Sequence, residues 1–586
     1  MSEAKGSPKN RKGIPMNLRR ALSFLLLIAF FLLAPSLAPA QSLDQYGGYV
    51  GLSVPGGATG YFRLAKMGDR WVFATPDGNA FWMRSVYAVS TMDGGSGYSA
   101  AVETKYAAGS AWAQFVRRLK SWGFNTLGEY TDLHALPISA YGGNPNTERA
   151  PFIWALNAGY YGIRAGSFKN IYLGVDTAQN PRTYIGMFPD VFDPAFASNV
   201  DAFASDFNGS SAAGSVFGGA SKLDACPWLI GITTDDGDYT TGFGPGPDGE
   251  ASQGKIHPHL GWVAAVTAPT QATTAEWPNW RYPDPVVHTK RAWRDFLAAK
   301  YTTIDALNAA WGSSYTTFDT DGGWPGGSGL LDENGRHQWI GSDPYKLSGA
   351  SARAKADLDE FMGKIADKYF SVYATKIRQY LPHHLVFTPV TMQAGTRRPI
   401  LEAAGRYVDA IQSSGVPGGP SYSLHQEAYN TSGKPLFLWT TITAQADSNI
   451  VNPGLTGWGP SFNKDTQADR GNAYASEIAG LLSLKGSDGN SFIVGIGWWE
   501  WCDKVVSGEN MNFGLVDVLD NAYDGNEAVI AVGTDPWGYR TGGETKNYGN
   551  FLGAVTQANA QIYARLVGAV APRVPTRLKV ISITSP

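Results

Sequence analysis

Three aspartates follow an apolar run near the middle of the chain. The run 228–234 leads into Asp235 and Asp236, and Asp238 stands two residues later. Crowding of carboxyl groups raises the pKa of one of them, and a group that keeps its proton can protonate a leaving oxygen. Because neighbouring strand residues face opposite ways, at most one of Asp235 and Asp236 can point into a site. A solvated turn or a cation-binding loop has the same composition.

A second acidic pair lies towards the end of the chain. Glu500 stands between Trp499 and Trp501, whose side chains would withdraw its carboxyl group from water, and Asp503 follows. Hydrolysis of a glycosidic bond requires one carboxyl group that donates a proton and one carboxylate that attacks or activates water. Glu500 is equally suited to bind a sugar hydroxyl or to make buried hydrogen bonds. The predicted catalytic residues are Asp235, Asp236 and Glu500.

Glu129 and Asp132 form a third acidic pair, at the end of the apolar run 124–130. They are a weaker option for the same chemistry. The alternative is a loop whose acidic residues cap the helix that follows.

Aromatic residues make up 13% of the sequence and include 19 tryptophans, more than a core alone requires. Flat rings stack on the apolar faces of sugars, although large proteins also bury many rings. Side-chain alternation predicts that Trp499 and Trp501 share a face opposite Trp498. Trp439 either stacks on a sugar or fills space. The predicted substrate-binding residues are Trp499, Trp501, Trp439, Glu129 and Asp503.

Eight apolar runs of strand length alternate with helical patterns such as 112–122 and 358–380. This alternation is the signature of an α/β fold, the (β/α)8 TIM barrel, whose active sites lie at the C-terminal ends of the strands. Strands four and eight oppose each other, so an Asp236 and Glu500 pair would have the wide spacing of an inverting enzyme. The runs are 81–90, 124–130, 152–159, 228–236, 385–392, 408–414, 435–443 and 493–503.

Other segments surround this barrel, which is expected over residues 81–567. Residues 41–80 predict an N-terminal β-hairpin cap with a turn at Gly68 and Asp69. Long loops rich in Trp, Gly and Pro follow the fourth strand, and another long loop follows the eighth; loops of such length tend to bind ligands. The predicted insertions are 237–286, 313–350 and 503–547, and the C-terminal tail is 568–586.

Residues 1–40 have the parts of a secretory signal peptide: a basic stretch, the apolar block 21–34, and small residues before Gln41. We therefore expect a secreted or periplasmic protein. The apolar block is too short to span a bilayer, and no later segment is long and apolar enough, so we expect no membrane span in the mature chain.

Charge and motifs exclude several partners. Removing the six basic residues and the one glutamate of the signal shifts the formal net charge from −3 to −8, which argues against nucleic acid. No HExxH, P-loop or dinucleotide motif occurs, and the eight histidines are scattered, so we expect no cofactor and no metal. A neutral carbohydrate is the expected partner.

Four stretches carry a family likeness: RWVFATPDGNAF at 70–81, LKSWGFNTLG at 119–128, KYTTIDALNAAWG at 300–312, and GIGWWEWCD at 495–503 with NFGLVD at 512–517. They resemble the opening hairpin, the first helix and second strand, the helix after strand four, and the last strand and loop of the agarase and β-galactosidase-like glycoside hydrolases. The likeness spans most of residues 60–567. It implies a (β/α)8 barrel that hydrolyses glycosidic bonds with retention.

The resemblance also implies a catalytic pair that this sequence lacks. The family uses a Glu acid/base, preceded by Asn, at the end of strand four and a Glu nucleophile at the end of strand seven. Here Asp236 stands in the Asn position, Gly237 in the acid/base position and Thr440 in the nucleophile position. The implied fold carries over, whereas the implied catalytic pair does not.

Two functions remain open from the sequence. The first is a secreted glycoside hydrolase that cleaves O-glycosidic bonds of a polysaccharide or oligosaccharide with displaced carboxylates, which the barrel, the aromatic-rich loops and the family motifs favour. The second is a carbohydrate-binding pseudoenzyme that has lost hydrolysis, which Gly237 and Thr440 favour. An inert scaffold has no supporting feature, although fold alone never establishes function.

Overall fold

The computed structural model divides the chain into two units, Met1–Ser42 and Leu43–Pro586, and the second unit contains the strands and helices of the fold. The predicted signal at 1–40, the insertion at 237–286 and most of that at 313–350 lie outside the described residues. The structure describes residues 42–138 except 93 and 108, 148–159, 162, 188–207, 219–235, 288–319, 329–330, 351–389, 396–414, 422–441, 443–445, 463–506, 509–524, 533–534, 540–541 and 550–570.

A four-stranded antiparallel sheet opens this unit. Its strands are β1 (Tyr49–Ser53), β2 (Arg63–Met67), β3 (Arg70–Ala74) and β4 (Asn79–Phe81), in the order β1-β4-β3-β2. Strands β2 and β3 form the hairpin that the sequence predicts, with Met67 opposite Arg70 across a two-residue turn. Gly68 has a φ of 61° there, a left-handed conformation that favours glycine.

Eight parallel strands form the predicted barrel. Their order around the sheet is β10-β11-β14-β5-β6-β7-β8-β9, and a parallel bridge between Phe387 and Ala410 brings the two outer strands together. Each predicted apolar run contains one of these strands, and the (β/α)8 fold is confirmed. Barrel strands one to eight are β5 (Met83–Val86), β6 (Thr126–Leu127), β7 (Phe152–Ala155), β8 (Leu229–Thr233), β9 (Leu385–Phe387), β10 (Ile411–Ser414), β11 (Leu436–Thr441) and β14 (Ile493–Trp498).

Short strand pairs accompany the barrel. Strands β12 (Ala444–Gln445) and β13 (Asn463–Lys464) pair after the seventh barrel strand. Within the predicted insertion 503–547, β15 (Lys504–Val506) pairs with β16 (Glu509–Met511), and β17 (Gly533–Thr534) pairs with β18 (Arg540–Thr541).

Amphipathic helices surround the strands. The predicted helix 112–122 corresponds to Ala111–Ser121. The predicted helix 358–380 begins six residues earlier, at Ala352, where Ser351 caps it by accepting a hydrogen bond from the Ala354 amide. None of the described helices combines the length and apolar composition needed to cross a bilayer. The helices are α1 (Ser96–Lys105), α2 (Ala111–Ser121), α3 (Phe196–Asp206), α4 (Ala220–Asp224), α5 (His288–Tyr301), α6 (Ile304–Trp311), α7 (Ala352–Tyr380), α8 (Arg398–Tyr407), α9 (Tyr422–Ser432), α10 (Gln467–Ser483) and α11 (Phe551–Val570).

The N-terminal sheet closes the bottom of the barrel. The Trp71 amide donates a 2.9 Å hydrogen bond to the carbonyl of Ser491, just before the eighth barrel strand. From the same strand, β3, the ring of Phe73 lies 6.3 Å from Phe387 and 6.4 Å from Phe437, and these two rings are 5.0 Å apart. Because these rings fill the N-terminal end, a ligand site must lie at the opposite end.

Candidate active site

Side chains from four barrel strands meet inside the barrel near its C-terminal end. Glu129 Oε1 lies 2.5 Å from Thr233 Oγ1 and 3.0 Å from Gln412 Nε2. Thr233 Oγ1 is also 2.8 Å from Gln412 Oε1, and Gln412 Nε2 donates to Tyr87 Oη at 3.2 Å. The second, fourth and sixth strands are not neighbours in the sheet, so contacts between them cross the barrel interior. We call Tyr87, Glu129, Thr233 and Gln412 the central polar cluster.

Glu129 is fully buried in this cluster. Burial raises the pKa of its carboxyl group above the ordinary value, and hydrogen bonding with Thr233, Gln412 and Tyr87 opposes the rise. Its Oε2 atom is buried with no hydrogen-bond partner among the described residues. Asp132, its predicted companion, instead caps the short 3-10 helix Leu133–Ala135 by accepting a hydrogen bond from the His134 amide.

Three further aromatic rings extend from Tyr87 of the cluster at the same end of the barrel. The Tyr87 ring lies 5.4 Å from Trp439 and 6.2 Å from Trp499. Trp499 also meets Trp439 edge to face at 5.4 Å and Tyr130 at 6.2 Å. Trp499 is half-buried and Tyr130 is exposed, so this aromatic wall continues from the barrel interior to the surface.

The prediction that Trp499 and Trp501 share a face is wrong. Trp501 is buried outside the barrel, with its ring 4.9 Å from Phe115 and 5.8 Å from Trp122, and its indole nitrogen donates to Tyr98 Oη. The eighth strand ends at Trp498, so the side-chain alternation of a strand does not extend to Trp501.

Several buried polar atoms without partners lie at this end of the barrel. Leaving such an atom unpaired costs about 1–3 kcal/mol, so a cluster of them marks a place where a ligand can make the missing bonds. Among the described residues, those at or directly after the second, third and seventh strands are Glu129 Oε2, Thr131 Oγ1, Asn157 Oδ1, Trp439 Nε1, Thr441 Oγ1 and Thr443 Oγ1.

Asp235 does not join this group. Its Oδ1 atom accepts a 2.8 Å hydrogen bond from the Gly159 amide, and its Oδ2 atom accepts one of 2.7 Å from Tyr369 on α7. These contacts turn the carboxylate towards the helix layer rather than the barrel interior. Asp236 and Gly237 lie outside the described residues, and at Thr440 only the backbone is described, in register with Ser414.

Glu500 forms a buried ion pair with a residue that the sequence did not single out. Glu500 Oε2 lies 3.0 Å from Lys504 Nζ, and both side chains are almost completely buried. The same ammonium group lies 5.0 Å from the centre of the Trp499 ring. The ion pair therefore stands against the aromatic wall.

Asp503 holds the loop that follows the eighth strand. It accepts hydrogen bonds from the Gly514 amide at 2.8 Å, from Asn512 Nδ2 at 2.9 Å and from Tyr523 Oη at 2.5 Å. Burial raises the pKa of Asp503 to about 7, although the nearby Arg470 guanidinium opposes the rise. Its contacts are those of a residue that positions the loop.

Sequence patterns could not identify most of the central polar cluster. Thr233 and Gln412 lie inside apolar strand runs, and Tyr87 looks like an ordinary strand residue. The one signal for them is a polar residue within an otherwise apolar run, since a buried parallel strand usually carries apolar side chains along its whole length. Within the described part of the chain, no three His, Cys, Asp or Glu residues form a group that could hold a metal ion.

Comparison with known proteins relates the chain to agarases. No protein-family profile matches it. It is 22% identical to β-agarase B of Vibrio sp. (strain JT0107) over 73% of this chain and 37% of that protein. It is 23% identical to β-agarase A of the same strain over 72% of this chain and 35% of that protein. The chain thus spans about a third of the length of these relatives.

A solved exo-β-agarase structure superposes with a TM-score of 0.60 at 20% identity, covering 95% of this chain and 71% of that one. The predicted resemblance to the glycoside hydrolase barrels is confirmed for the fold.

Proposed function

We propose that this chain, whose fold is that of the agarase-like glycoside hydrolase barrels, is an exported enzyme that hydrolyses O-glycosidic bonds of agarose or a closely related neutral galactan. The observation that carries the proposal is the joint presence of aromatic rings and unpaired buried polar atoms at the C-terminal end of the barrel. Rings bind the apolar faces of a sugar, and unpaired hydroxyl, amide and indole groups bind its hydroxyls.

The chemistry of these groups supports a neutral ligand. The atoms without partners on Thr131, Asn157, Trp439 and Thr441 are uncharged. The one cation beside the aromatic wall, among the described residues, is Lys504, and Glu500 neutralises it. A sulfate or carboxylate on the ligand would find no unpaired cation among these groups.

Two buried carboxyl groups and the similarity to two agarases support hydrolysis. Glu129 hydrogen-bonds with Tyr87 of the aromatic wall. Glu500 follows a different barrel strand and pairs with Lys504, whose ammonium group lies against Trp499. The names of the two curated relatives indicate hydrolysis of agarose by those proteins. The predicted pair of Asp236 and Glu500 remains a prediction, and the segment 1–40 supports export.

A binding protein without hydrolysis is the second candidate. Gly237 and Thr440 favour it, since neither side chain can act as the acid or the nucleophile that the family resemblance implies. The contacts of Asp235 favour it as well, because both of its carboxylate oxygens accept hydrogen bonds outside the barrel interior.

Reducing-sugar release from agarose by the purified protein tests the proposal, with retardation in agarose and in a starch gel measured in parallel. Release of sugars, abolished in Glu500→Gln, supports the enzyme. Retardation in agarose without release of sugars supports the binding protein. Neither release nor retardation contradicts both.

A further inference from the structure

We propose that the ring of Tyr130 is the outer stacking platform of the sugar site, the surface on which a neutral galactose unit lies as a polysaccharide chain enters the mouth of the barrel. This role rests on the carbohydrate binding of the proposed function, which the hydrolase and the binding protein share. Three features of Tyr130 support it: the exposure of its ring, the backbone conformation that holds the ring outward, and its contact with Trp499.

Tyr130 differs in its exposure from every other aromatic residue in the described part of the chain. It is 37% exposed, whereas the other described aromatic residues are buried or half-buried. Its two neighbours in the sequence, Glu129 and Thr131, are only 0% and 2% exposed. A residue that touches a polysaccharide must be reached from solvent, and Tyr130 meets this requirement where the buried rings of Tyr87 and Trp439 do not.

The backbone holds this ring outward at a cost in free energy. Tyr130 has a φ of 62°, a left-handed conformation that a bulky side chain rarely adopts. Hydrogen bonds fix the chain on both sides of it. The Ala88 amide donates to the Glu129 carbonyl at 3.1 Å, and the Asp132 amide donates to the carbonyl of Val89 at 3.0 Å. Tyr130 therefore cannot relax unless these bonds to the end of the first strand are released.

The neighbouring strand ends have the same conformation. Ala88, after the first barrel strand, has a φ of 52°, and Asn157, after the third, has a φ of 53°. Three adjacent strands thus each lead into a left-handed residue other than glycine, at the end of the barrel where enzymes of this fold keep their active sites. Strained residues of this kind cluster where ligands bind, so the strain at Tyr130 points to a role in the site.

The contact with Trp499 forms a corner at the barrel mouth. The centres of the Tyr130 and Trp499 rings are 6.2 Å apart, and their planes meet at 81°. A sugar ring in such a corner can stack on one plane and contact the other ring with its edge. The Lys504 ammonium group already lies 5.0 Å from the centre of the half-buried Trp499 ring. Tyr130 is the more exposed of the two rings and is therefore the stacking surface.

The chemistry of this corner fits a galactose unit. The axial hydroxyl of galactose leaves the opposite face of the pyranose ring with a continuous surface of C–H groups, and such a surface packs on an aromatic ring. In glucose one of these hydrogens lies on the other face, so the apolar surface is smaller. The ligand is neutral, because the cation beside the two rings, Lys504, is paired with Glu500.

The test measures the binding of an agarose tetrasaccharide by calorimetry in the cold, where hydrolysis is slow. We expect Tyr130→Ala to weaken binding about 3- to 10-fold, and Tyr130→Phe, which keeps the ring, to stay within about twofold of the wild type. Maltotetraose, a neutral glucose tetrasaccharide, should bind more weakly than the agarose tetrasaccharide. The control is Tyr61→Ala, since Tyr61 is a half-buried tyrosine that stacks on His383 at the other end of the barrel, and it should leave the affinity unchanged.

A glycine variant separates the ring from the backbone. Tyr130→Gly and Tyr130→Ala both remove the ring, but only glycine adopts the left-handed conformation without strain. We therefore expect the same loss of affinity in both variants and a higher unfolding temperature for Tyr130→Gly than for Tyr130→Ala. Thr302→Gly is the matched control, because Thr302 has a φ of 65° at an exposed position between α5 and α6. It should raise the unfolding temperature and leave the affinity unchanged.

Other results overturn the role of Tyr130. Wild-type affinity in a folded Tyr130→Ala protein shows that the exposed ring does not touch the sugar, and an equal loss in Tyr61→Ala shows that the effect is not local. A wild-type protein that binds no agarose tetrasaccharide contradicts both this role and the proposed function. A wild-type protein that binds the tetrasaccharide through Tyr130 but releases no sugar from agarose supports this role and contradicts the hydrolase alone.

Discussion

Thr233 Oγ1, on the fourth barrel strand, lies 2.5 Å from Glu129 Oε1, at the end of the second strand. The two residues are 104 positions apart in the sequence, and only barrel closure brings them together. Both side chains are fully buried, and their hydrogen bond opposes the rise in the pKa of Glu129 that burial causes.

Thr233→Val removes the hydroxyl and keeps the shape of the side chain. The ionised form of Glu129 then loses a hydrogen-bond donor, so its pKa should rise further. The loss of the buried bond should cost about 1–3 kcal/mol of stability. An infrared titration of the carboxyl group and urea unfolding measure the two effects. Thr233→Ser keeps the hydroxyl and should leave the titration unchanged; an equal shift in both variants would contradict the role of the hydroxyl.

Trp499 and Trp501 should respond differently to substitution although both follow the same strand. Trp499→Ala removes a half-buried ring of the aromatic wall and should weaken binding of agarose oligosaccharides by about 0.5–1.5 kcal/mol with little effect on folding. Trp501→Ala opens a cavity against Phe115 and should cost about 3–5 kcal/mol of stability. Calorimetry measures the affinity of each variant, and thermal unfolding measures its stability. A loss of stability in Trp499→Ala equal to that in Trp501→Ala would argue against an aromatic wall that is open to ligand.

Because Asp503 is protonated in the folded protein, the free energy of unfolding should decrease as the pH rises. Its pKa is about 7 in the folded protein and 3.8 in its ordinary state, so the folded chain holds a proton that the unfolded chain releases. The stabilisation from this proton is complete below about pH 4 and is lost between about pH 4 and pH 7, by up to about 1.4 kcal/mol per pH unit. Asp503→Asn should flatten this slope in urea unfolding at several pH values. The exposed Asp77→Asn serves as control, and an unchanged slope in Asp503→Asn would contradict the assignment.

Packing of Phe73 against the barrel should let the N-terminal sheet stabilise the barrel. Phe73→Ala removes the ring that meets Phe387 and Phe437 and should destabilise the protein by about 3–5 kcal/mol. Leu52→Ala, at a half-buried position on β1, should cost clearly less. Thermal unfolding of the two variants measures the difference. Equal and small losses would show that the sheet does not stabilise the barrel.

The sequence predicts the scaffold well because its signals are local. Each barrel strand lies in an apolar run, since a parallel sheet covered on both faces needs apolar side chains along the whole strand. The hairpin at the start is predicted by its turn, where Gly68 adopts a left-handed conformation. Glu129 and Glu500 also stand out in the sequence, because carboxyl groups are rare beside apolar runs.

The arrangement of the site is decided by the tertiary structure. Asp235 turns to Tyr369, and Trp501 packs outside the barrel, because each finds its partner on a helix distant in sequence. Gln412 and Thr233 join Glu129 across 283 and 104 residues, and no local pattern encodes such contacts.

The sequence by itself therefore determined that eight strands form a barrel with acidic and aromatic residues after several of them. Only the tertiary structure decided which of these side chains face the interior. The physical reason is that hydrophobic periodicity specifies burial, whereas the direction of a residue beyond the end of a strand depends on the hydrogen bonds and packing that the closed barrel offers.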